Sequence, residues 1–581
     1  MHIQNIGLVL KMKCYEKYLS NMKTKIILIL FTIFIFNSNL YSQNFQWAKN
    51  MGGNFDSYGM GITTDDSGYV YTIGYFEGTV DFDPGIGVFN VTSIGQEDIF
   101  ISKLDALGNF QWVKTFGNIG QDKGSAITLD GLGNLYATGG YHGSIDFDPG
   151  IGISNLDSNG AFILKLTTSG NFVWVKGFIS SINSGGSSIG IGNSGDVFIT
   201  GNFRGTGDFD PGSSVFNLTS SSSTDQDIFI AKLNLSGNFI WAKRIGGNGN
   251  DQGVDLIIDP SDNIVVTGNF HGTVDFDPGL SVVDLTSWGF SGIYVLKLNS
   301  IGDMIWAKSF GDGNGTSIIQ DPIGNIYICG LFDTIGDFDP GVATFNLASS
   351  GNFDVFISKL DANGNFKWAK KFGGLENDFG YSIAMDGYGH IFTTGRFQGT
   401  VDFDPNNGIF NLTSTNISTF ISELDTLGNF IWAGNISGAN TCVGFGIAID
   451  GLNNIFTTGT FQGTIDFDPG IGTSNLSAIS TPPGSDIFIS KLGGGATGIK
   501  NIEKENSISI YPNPANNQLN IKIPFRFYEA KYRIINEFGI ELLSGKLMNN
   551  NSKIDISNLK EGVYILNINN YVEQTFLIQK K

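Results

Sequence analysis

The sequence predicts an all-β chain: a seven-bladed β-propeller of four-stranded antiparallel blades, followed by a second, smaller β domain. Three observations carry that prediction. Asp-Phe-Asp-Pro-Gly, first met at residues 81–85, returns starting at Asp146, Asp208, Asp275, Asp337, Asp402 (with Asn406 in place of the glycine) and Asp466, in steps of 62 to 67 residues. A tryptophan keeps step with it at Trp47, Trp112, Trp174, Trp241, Trp306, Trp368 and Trp432, which leaves only Trp288 outside the pattern. Glycine is abundant (80 residues) and aromatics reach 13%, against 15% charged residues, a composition suited to short strands and tight turns. A fixed period means that each unit buries its apolar face against its neighbours.

The second unit illustrates the four strands. Residues 125–130 are rich in small side chains, 134–141 are aromatic and β-branched, and 161–166 and 171–178 follow the excursion that contains Asp146. Helical periodicity is absent. The links 105–109 and 130–134 share an Asp-x-x-Gly-Asn frame, in which Asp accepts a backbone hydrogen bond and Gly takes the left-handed position of a hairpin turn. The ends of the repeat predict ring closure. Residues 45–49 are a fourth-strand sequence with no third strand before it, and 486–492 are a third-strand sequence with no Trp strand after it, so the two complete one sheet and remove an edge. Blades converge on the axis, which places the small-residue strand innermost and the Trp strand outermost, where an indole fills the widening gap.

Charge is unevenly spread. The net charge is −20, yet residues 1–42 carry +4 and residues 500–581 carry +3, which leaves −27 on residues 43–499. Such a field repels nucleic acid and anionic membranes and draws cations. Residues 22–42 have a basic start, an eleven-residue apolar run (26–36) and a small residue, Ser42, before Gln43. That is a secretory signal peptide, too short for a permanent transmembrane anchor, with Met22 as the expected translation start. Cys14 precedes the expected mature start, and Cys329 and Cys442 fall in different units, so both read as small core residues, not as a disulfide.

The repeat at residues 45–492 resembles the bacterial SBBP-type β-propeller repeat: Asp-Ile-Phe-Ile-Ser-Lys-Leu-Asp-x-x-Gly-Asn-Phe-x-Trp-Ala-Lys, then Gly-Asn-Ile-Tyr-x-Thr-Gly. It departs from that family's shorter unit through the Asp-Phe-Asp-Pro-Gly excursion. Residues 493–507 form a Gly-rich, then polar, linker. Residues 508–581 alternate short strands and turns, as an immunoglobulin-like β-sandwich does. Their Tyr-Pro-Asn-Pro start (511–514), Asn-Glu-Phe-Gly turn (536–539), Ile-Asp-Ile-Ser-x-Leu-x-x-Gly-Val-Tyr block (554–564) and lysine-ended tail are similar to the C-terminal sorting domain of type IX secretion in Bacteroidetes-type bacteria. That resemblance implies passage through the type IX machinery and release or attachment at the outer-membrane surface.

The candidate site is the aspartate pair. Asp81 and Asp83, Asp146 and Asp148, Asp208 and Asp210, Asp275 and Asp277, Asp337 and Asp339, Asp402 and Asp404, and Asp466 and Asp468 each lie two apart, on one side of an extended strand, just before a Pro-Gly turn. Two carboxylates with turn carbonyls could hold calcium, and no other cofactor is expected. In the competing reading one Asp caps its turn and the other is solvated. A third acidic ligand has no fixed place, because Asp98, Asp227, Asp354 and Asp486 precede the third strand in alternate units only. No catalytic residue is assigned. His142 and His271 occupy a position that other units fill freely, which predicts exposure, and no nucleophile elbow, phosphate loop or His/Cys cluster is visible. The expected function is a monomeric, secreted or surface-displayed binding module for an extracellular protein or glycan. The alternative is an exported glycan-active hydrolase with an acidic central funnel.

Overall fold

The computed structural model describes residues 43–180, 183–480, 484–493, 509–511, 515–522, 531–536, 541–547, 551–568 and 572–578. The signal peptide, Met22, Cys14, most of the linker, Pro512–Pro514, the 537–539 turn and the C-terminal lysines lie outside those residues.

The described chain is all-β, and its repeat region is a succession of four-stranded antiparallel sheets. In the first, Ser57–Thr64, Val70–Phe76, Asp98–Leu104 and Phe110–Phe116 pair in chain order. The third strand is buried along its length, as at Asp227–Leu233, and so reads as a near-continuous apolar run. The fourth strand is less covered: at Phe110–Phe116 only Val113 and Phe116 are buried. Each first strand carries a bulge at a glycine, for instance between Gly59 and Gly61 and between Gly186 and Ser188. The reason is close approach. A Cβ on Gly186 would lie 2.0 Å from Thr138 Oγ1 of the preceding sheet, and one on Gly59 2.3 Å from Thr458 Oγ1.

The first strands of successive sheets lie against one another along the repeat, and Ser57–Thr64 lies against Cys442–Ile449 of the seventh unit. Asn44–Gly53 supplies that unit's fourth strand, with Phe45 opposite Leu492, Trp47 opposite Lys491 and Met51 opposite Ile487. Cross-links join the two ends: the Ser57 amide donates to Ser485 O (2.8 Å) and Thr460 Oγ1 donates to Ser57 O (2.9 Å).

Each unit also holds two strands that the four-strand reading left in the excursion. Thr79–Asp81 and Asn90–Thr92 form a short hairpin whose first strand pairs with the end of the preceding sheet's fourth strand, Gly52 opposite Asp81 and Gly53 opposite Val80. The same splice recurs at Ile179 with Asp208, Gly373 with Asp402 and Ser437 with Asp466. The Asp-Phe-Asp-Pro-Gly segment is therefore where one unit grips the previous one.

The tryptophans sit between units, as expected. Trp47, Trp112, Trp241 and Trp368 donate their indole N–H to a turn carbonyl of the next unit, at Ala106, Thr168, Ser300 and Thr426, over 3.2–3.3 Å. A lysine from the third strand reaches the same oxygen in each case: Lys491, Lys103, Lys232 and Lys359, at 3.0–3.1 Å. Those lysines also lie over an aromatic ring of their own unit, such as Tyr327 under Lys359 at 4.8 Å. Cys329 and Cys442 are free and buried.

The C-terminal segment has two antiparallel sheets. One orders Ser509–Tyr511, Gln518–Lys522 and Asn551–Asp555; the other orders Glu541–Lys546, Lys531–Asn536, Gly562–Ile568 and Val572–Ile578. Leu519 and Ile521 of the first share one apolar cluster with Ile534, Leu566 and Ile568 of the second.

Candidate interaction face

The fourteen candidate aspartates fall into seven copies of one arrangement. Asp81 Oδ1 accepts the amides of Asp83 (3.1 Å) and Phe89 (2.7 Å), and Asp83 Oδ1 accepts the amide of Gly85 (2.8 Å). The first carboxylate thus closes an eight-residue loop and the second its Pro-Gly turn. Asp146 and Asp148, Asp208 and Asp210, Asp275 and Asp277, Asp337 and Asp339, Asp402 and Asp404, and Asp466 and Asp468 repeat the pattern, with the long-range bond at 2.8 Å each time. Both members of each pair cap backbone, where the sequence reading had allowed that for one. The seven pairs are separate, and among the described residues no group of three or more His, Cys, Asp or Glu could hold a metal ion.

Between the two aspartates, the phenylalanine points inward. Phe82 is fully buried, its ring 5.2 Å from both Phe76 and Phe100. The hairpin tip points outward: Ile86, Ile151, Leu280, Val342 and Ile471 are wholly exposed.

The two ends of the sheets differ. At one end Asp-x-x-Gly-Asn turns repeat with fixed geometry, Asp105 Oδ1 accepting the amides of Leu107 and Asn109 at 2.9 Å and Gly108 standing at φ +78°. At the other end lie the loops that enter the third strand and the loops that enter the next first strand. The two sets bond to each other: Asp122 N–H donates to Glu97 O (2.7 Å), Asp251 N–H to Gln226 O (2.8 Å) and Gly313 N–H to Ser291 O (2.7 Å). Their lengths and residues vary, from 158–159 to 220–226.

On this variable end, 287–291 carries Trp288, the tryptophan outside the repeat. Gly289 (φ +57°) packs on the Asp312 carboxylate, where a Cβ would lie 1.8 Å from Oδ2, and Asp312 Oδ1 accepts the Ser291 amide at 3.0 Å. The pinned loop presents Trp288 (49% exposed) and Phe290 (82% exposed), with His271 edge-on to Phe290 at 5.0 Å. Phe55, Ile119 and Leu375 are exposed at the same end, on loops that enter the next first strand.

The histidines correct an expectation. His142 and His271 are half-buried, their amides donating to Asp122 (2.8 Å) and Asp251 (2.9 Å) and their Nδ1 atoms paired with the carbonyls of Gln121 and Asn250. A position that varies in residue type is still tied down here, by its own backbone amide and by its ring nitrogen. His390 replaces the turn Asn of the sixth unit, and Glu423 replaces the third-strand Lys; His390 Nδ1 lies 2.9 Å from Glu423 Oε1 and 3.3 Å from Asp386 Oδ2. Burial opposes its charge, but the two carboxylates push its pKa up to about 10. The first strands, placed nearest the axis by the sequence reading, hold one acidic residue, Asp255, and its carboxylate accepts bonds from Ser188 Oγ (2.7 Å), Ser317 Oγ (2.8 Å) and the amides of Ile318 and Leu256 (2.9 Å each).

Comparison with known proteins identifies the C-terminal segment. Residues 509–580 match the secretion system C-terminal sorting domain. The segment is a type IX sorting domain. This tail marks the chain for export, to the cell surface or beyond, and for contact with the secretion machinery. The described residues include no helix long and apolar enough to cross a membrane. The chain is 25% identical over 509 residues to the WD repeat-containing protein L264 of Acanthamoeba polyphaga mimivirus, covering 72% of this chain and 36% of that protein. It is 29% identical over 127 residues to the regulatory protein FlaEY of Caulobacter vibrioides, covering 21% and 13%. The chain thus spans little more than a third of one relative and about an eighth of the other. Among solved structures it is similar to PorZ, a surface component of the type IX secretion system of Porphyromonas gingivalis (11% identity, 89% of this chain and 70% of that one, TM-score 0.26). It is also similar to the phage phi92 endosialidase (10% identity, 93% and 88%, TM-score 0.35).

Proposed function

We propose that residues 43–492 form a closed seven-bladed β-propeller of SBBP-type repeats that acts, once exported, as a binding module through its variable-loop end. Closure is supported by the pairing of Asn44–Gly53 with the seventh unit and by the unbroken succession of first-strand contacts. The binding reading rests on one observation above the rest: Trp288 and Phe290 are held out to solvent by a braced loop, in a unit whose own repeat tryptophan, Trp306, already serves packing. Exposed aromatics set among polar groups mark interaction sites more often than exposed aliphatics do.

Immobilised full-length chain, challenged with a set of soluble polysaccharides and extracellular proteins, is expected to retain a ligand without turnover. Trp288→Ala with Phe290→Ala is expected to weaken retention at least tenfold, while the melting temperature stays where it was. Release of reducing ends from a polysaccharide would overturn this reading in favour of the hydrolase. Retention unchanged by the double substitution would move the site off this loop.

The aspartate pairs belong, in this reading, to the scaffold. Asp81→Ala removes the acceptor of two amides and is expected to cost about 1–3 kcal/mol. Calcium at millimolar concentration is expected to leave the melting temperature of the unsubstituted chain unchanged; an upward shift that shrinks in Asp81→Ala would instead make the pairs calcium ligands.

A further inference from the structure

Six of the seven units set a lysine of the third strand opposite the repeat tryptophan; the sixth sets Glu423 opposite Trp432. At four junctions that lysine donates to a carbonyl in the next unit's turn between third and fourth strands, as Lys359 does to Thr426 O (3.0 Å) and Lys491 to Ala106 O (3.1 Å). The unit after the sixth has no such turn. Its third strand ends at Gly493 and its fourth begins at Asn44, so a chain start stands where the other units offer a carbonyl. The reversal of charge in the lysine series thus falls at the junction that lacks a turn to receive a lysine.

Gln43, the residue before that strand, fills the place. It is buried, and its Nε2 donates to Glu423 Oε2 at 2.8 Å. His390 Nδ1 lies 2.9 Å from the other oxygen, Oε1, and 3.3 Å from Asp386 Oδ2. In four other units the position of His390 is an asparagine bonded to its own turn aspartate, as Asn325 Nδ2 is to Asp321 Oδ2 (2.7 Å). The two departures from the repeat, His for Asn and Glu for Lys, therefore touch each other, and the second glutamate oxygen faces the chain start.

Glu423 is 2% exposed, and a carboxylate so buried needs donors. An ordinary turn carbonyl in front of it would set two acceptors face to face. Charge points the same way. In the fourth unit the third-strand Lys297 balances the turn's Asp259 at 2.9 Å. In the sixth, two carboxylates face one imidazole, so the cluster favours a positive group at residue 43 and opposes a negative one.

Strand pairing alone does not choose this place. Residues 98–104 and 486–492 share one sequence, Asp-Ile-Phe-Ile-Ser-Lys-Leu, so Asn44–Gly53 matches the third strand of the first unit as well as that of the seventh. Before the first unit's fourth strand, however, the side chain that reaches across is Lys491. We infer, resting on the closed ring proposed above, that Glu423, braced by His390, is a receptor for the chain start: it takes a hydrogen-bond donor or a cation at residue 43, rejects an ordinary turn, and so marks the seventh unit as the place where the ring closes.

The test is a charge series at residue 43, read by thermal melting of the full chain. Gln43→Glu is expected to lower the midpoint by about 2–4 °C, Gln43→Ala to lower it by less, and Gln43→Lys to leave it unchanged or raise it. With Glu423→Lys added, the order is expected to invert, Gln43→Glu becoming the most stable of the three. A residue that is merely buried would suffer from either charge alike. Equal effects of the two charges, or the same order with and without Glu423→Lys, overturns the proposal; should chains carrying Glu423→Lys fail to fold, the series on the unsubstituted background still decides it. A disulfide between Asn44→Cys and Gly493→Cys, which lie opposite each other in the ladder, tests the ring separately. Its formation within single chains, with no order at residue 43, would sink the receptor and leave the ring standing. Its absence, or its formation between copies, would overturn the closure on which both rest.

Discussion

A chain lacking residues 43–53 is expected to lose the cooperative melting transition of its repeat region. The segment Asn44–Gly53 makes seven ladder pairings with the seventh unit and buries Met51 completely, with Phe45, Trp47 and Ala48 packed on the clusters of the first and last units. Truncating a single buried methionine costs about 2–5 kcal/mol. Removing the strand deletes all these groups together, leaves Asp486–Gly493 as an unpaired edge, and leaves the two ends of the repeat joined only through the contacts of Ser57–Thr64 with the seventh unit. Domain stabilities are about 5–15 kcal/mol, so the loss is of the same size as the whole. Differential scanning calorimetry of the purified deletion is the measurement. A transition within a few degrees of the full-length chain would show that the units stack without needing closure.

Phe82→Ala is expected to destabilise the chain by about 3–5 kcal/mol, whereas Ile86→Ala, four residues on in the same loop, stays within about 0.5 kcal/mol. Phe82 lies among Phe76, Phe100, Met51, Phe456 and Ile487, so the cavity left by its ring opens onto two units at once. Ile86 touches nothing that could collapse, being wholly exposed. The same contrast holds at Phe209, within 5.1 Å of Phe203 and Phe229, and at Phe276, 5.1 Å from Phe270. Urea midpoints for the two variants decide it. Equal effects would mean that the hairpin does not wedge between units.

These two residues show how far the sequence can be read. The repeat of Asp-Phe-Asp-Pro-Gly was plain, and so was its turn chemistry, because Pro and Gly preferences are local. The packing of Phe82 was not legible, since a phenylalanine between two aspartates has no alternation long enough to show which way it faces. Nor did the pattern show that Thr79–Asp81 pairs with the unit before it: strand partners are set by where neighbouring sheets end, and no spacing within a unit records that. The alternation of Asp98, Asp227, Asp354 and Asp486 was visible and its meaning was not. Only the fold shows that the first three are buried at junctions where Asp122, Asp251 and Asp378 of the next unit bond to the residue before them.

By itself the sequence determined the β class, the seven units, the four-strand meander, the pairing of the two repeat ends and the export tail, because period, turn residues and strand patterning are properties of short stretches. Only the tertiary structure decided that the aspartate pairs cap their own loops, that lysine and tryptophan share one carbonyl across each of four junctions, and that Trp288 is held out to solvent. Those depend on which units face each other and how closely their backbones approach, a matter of packing between residues some sixty positions apart.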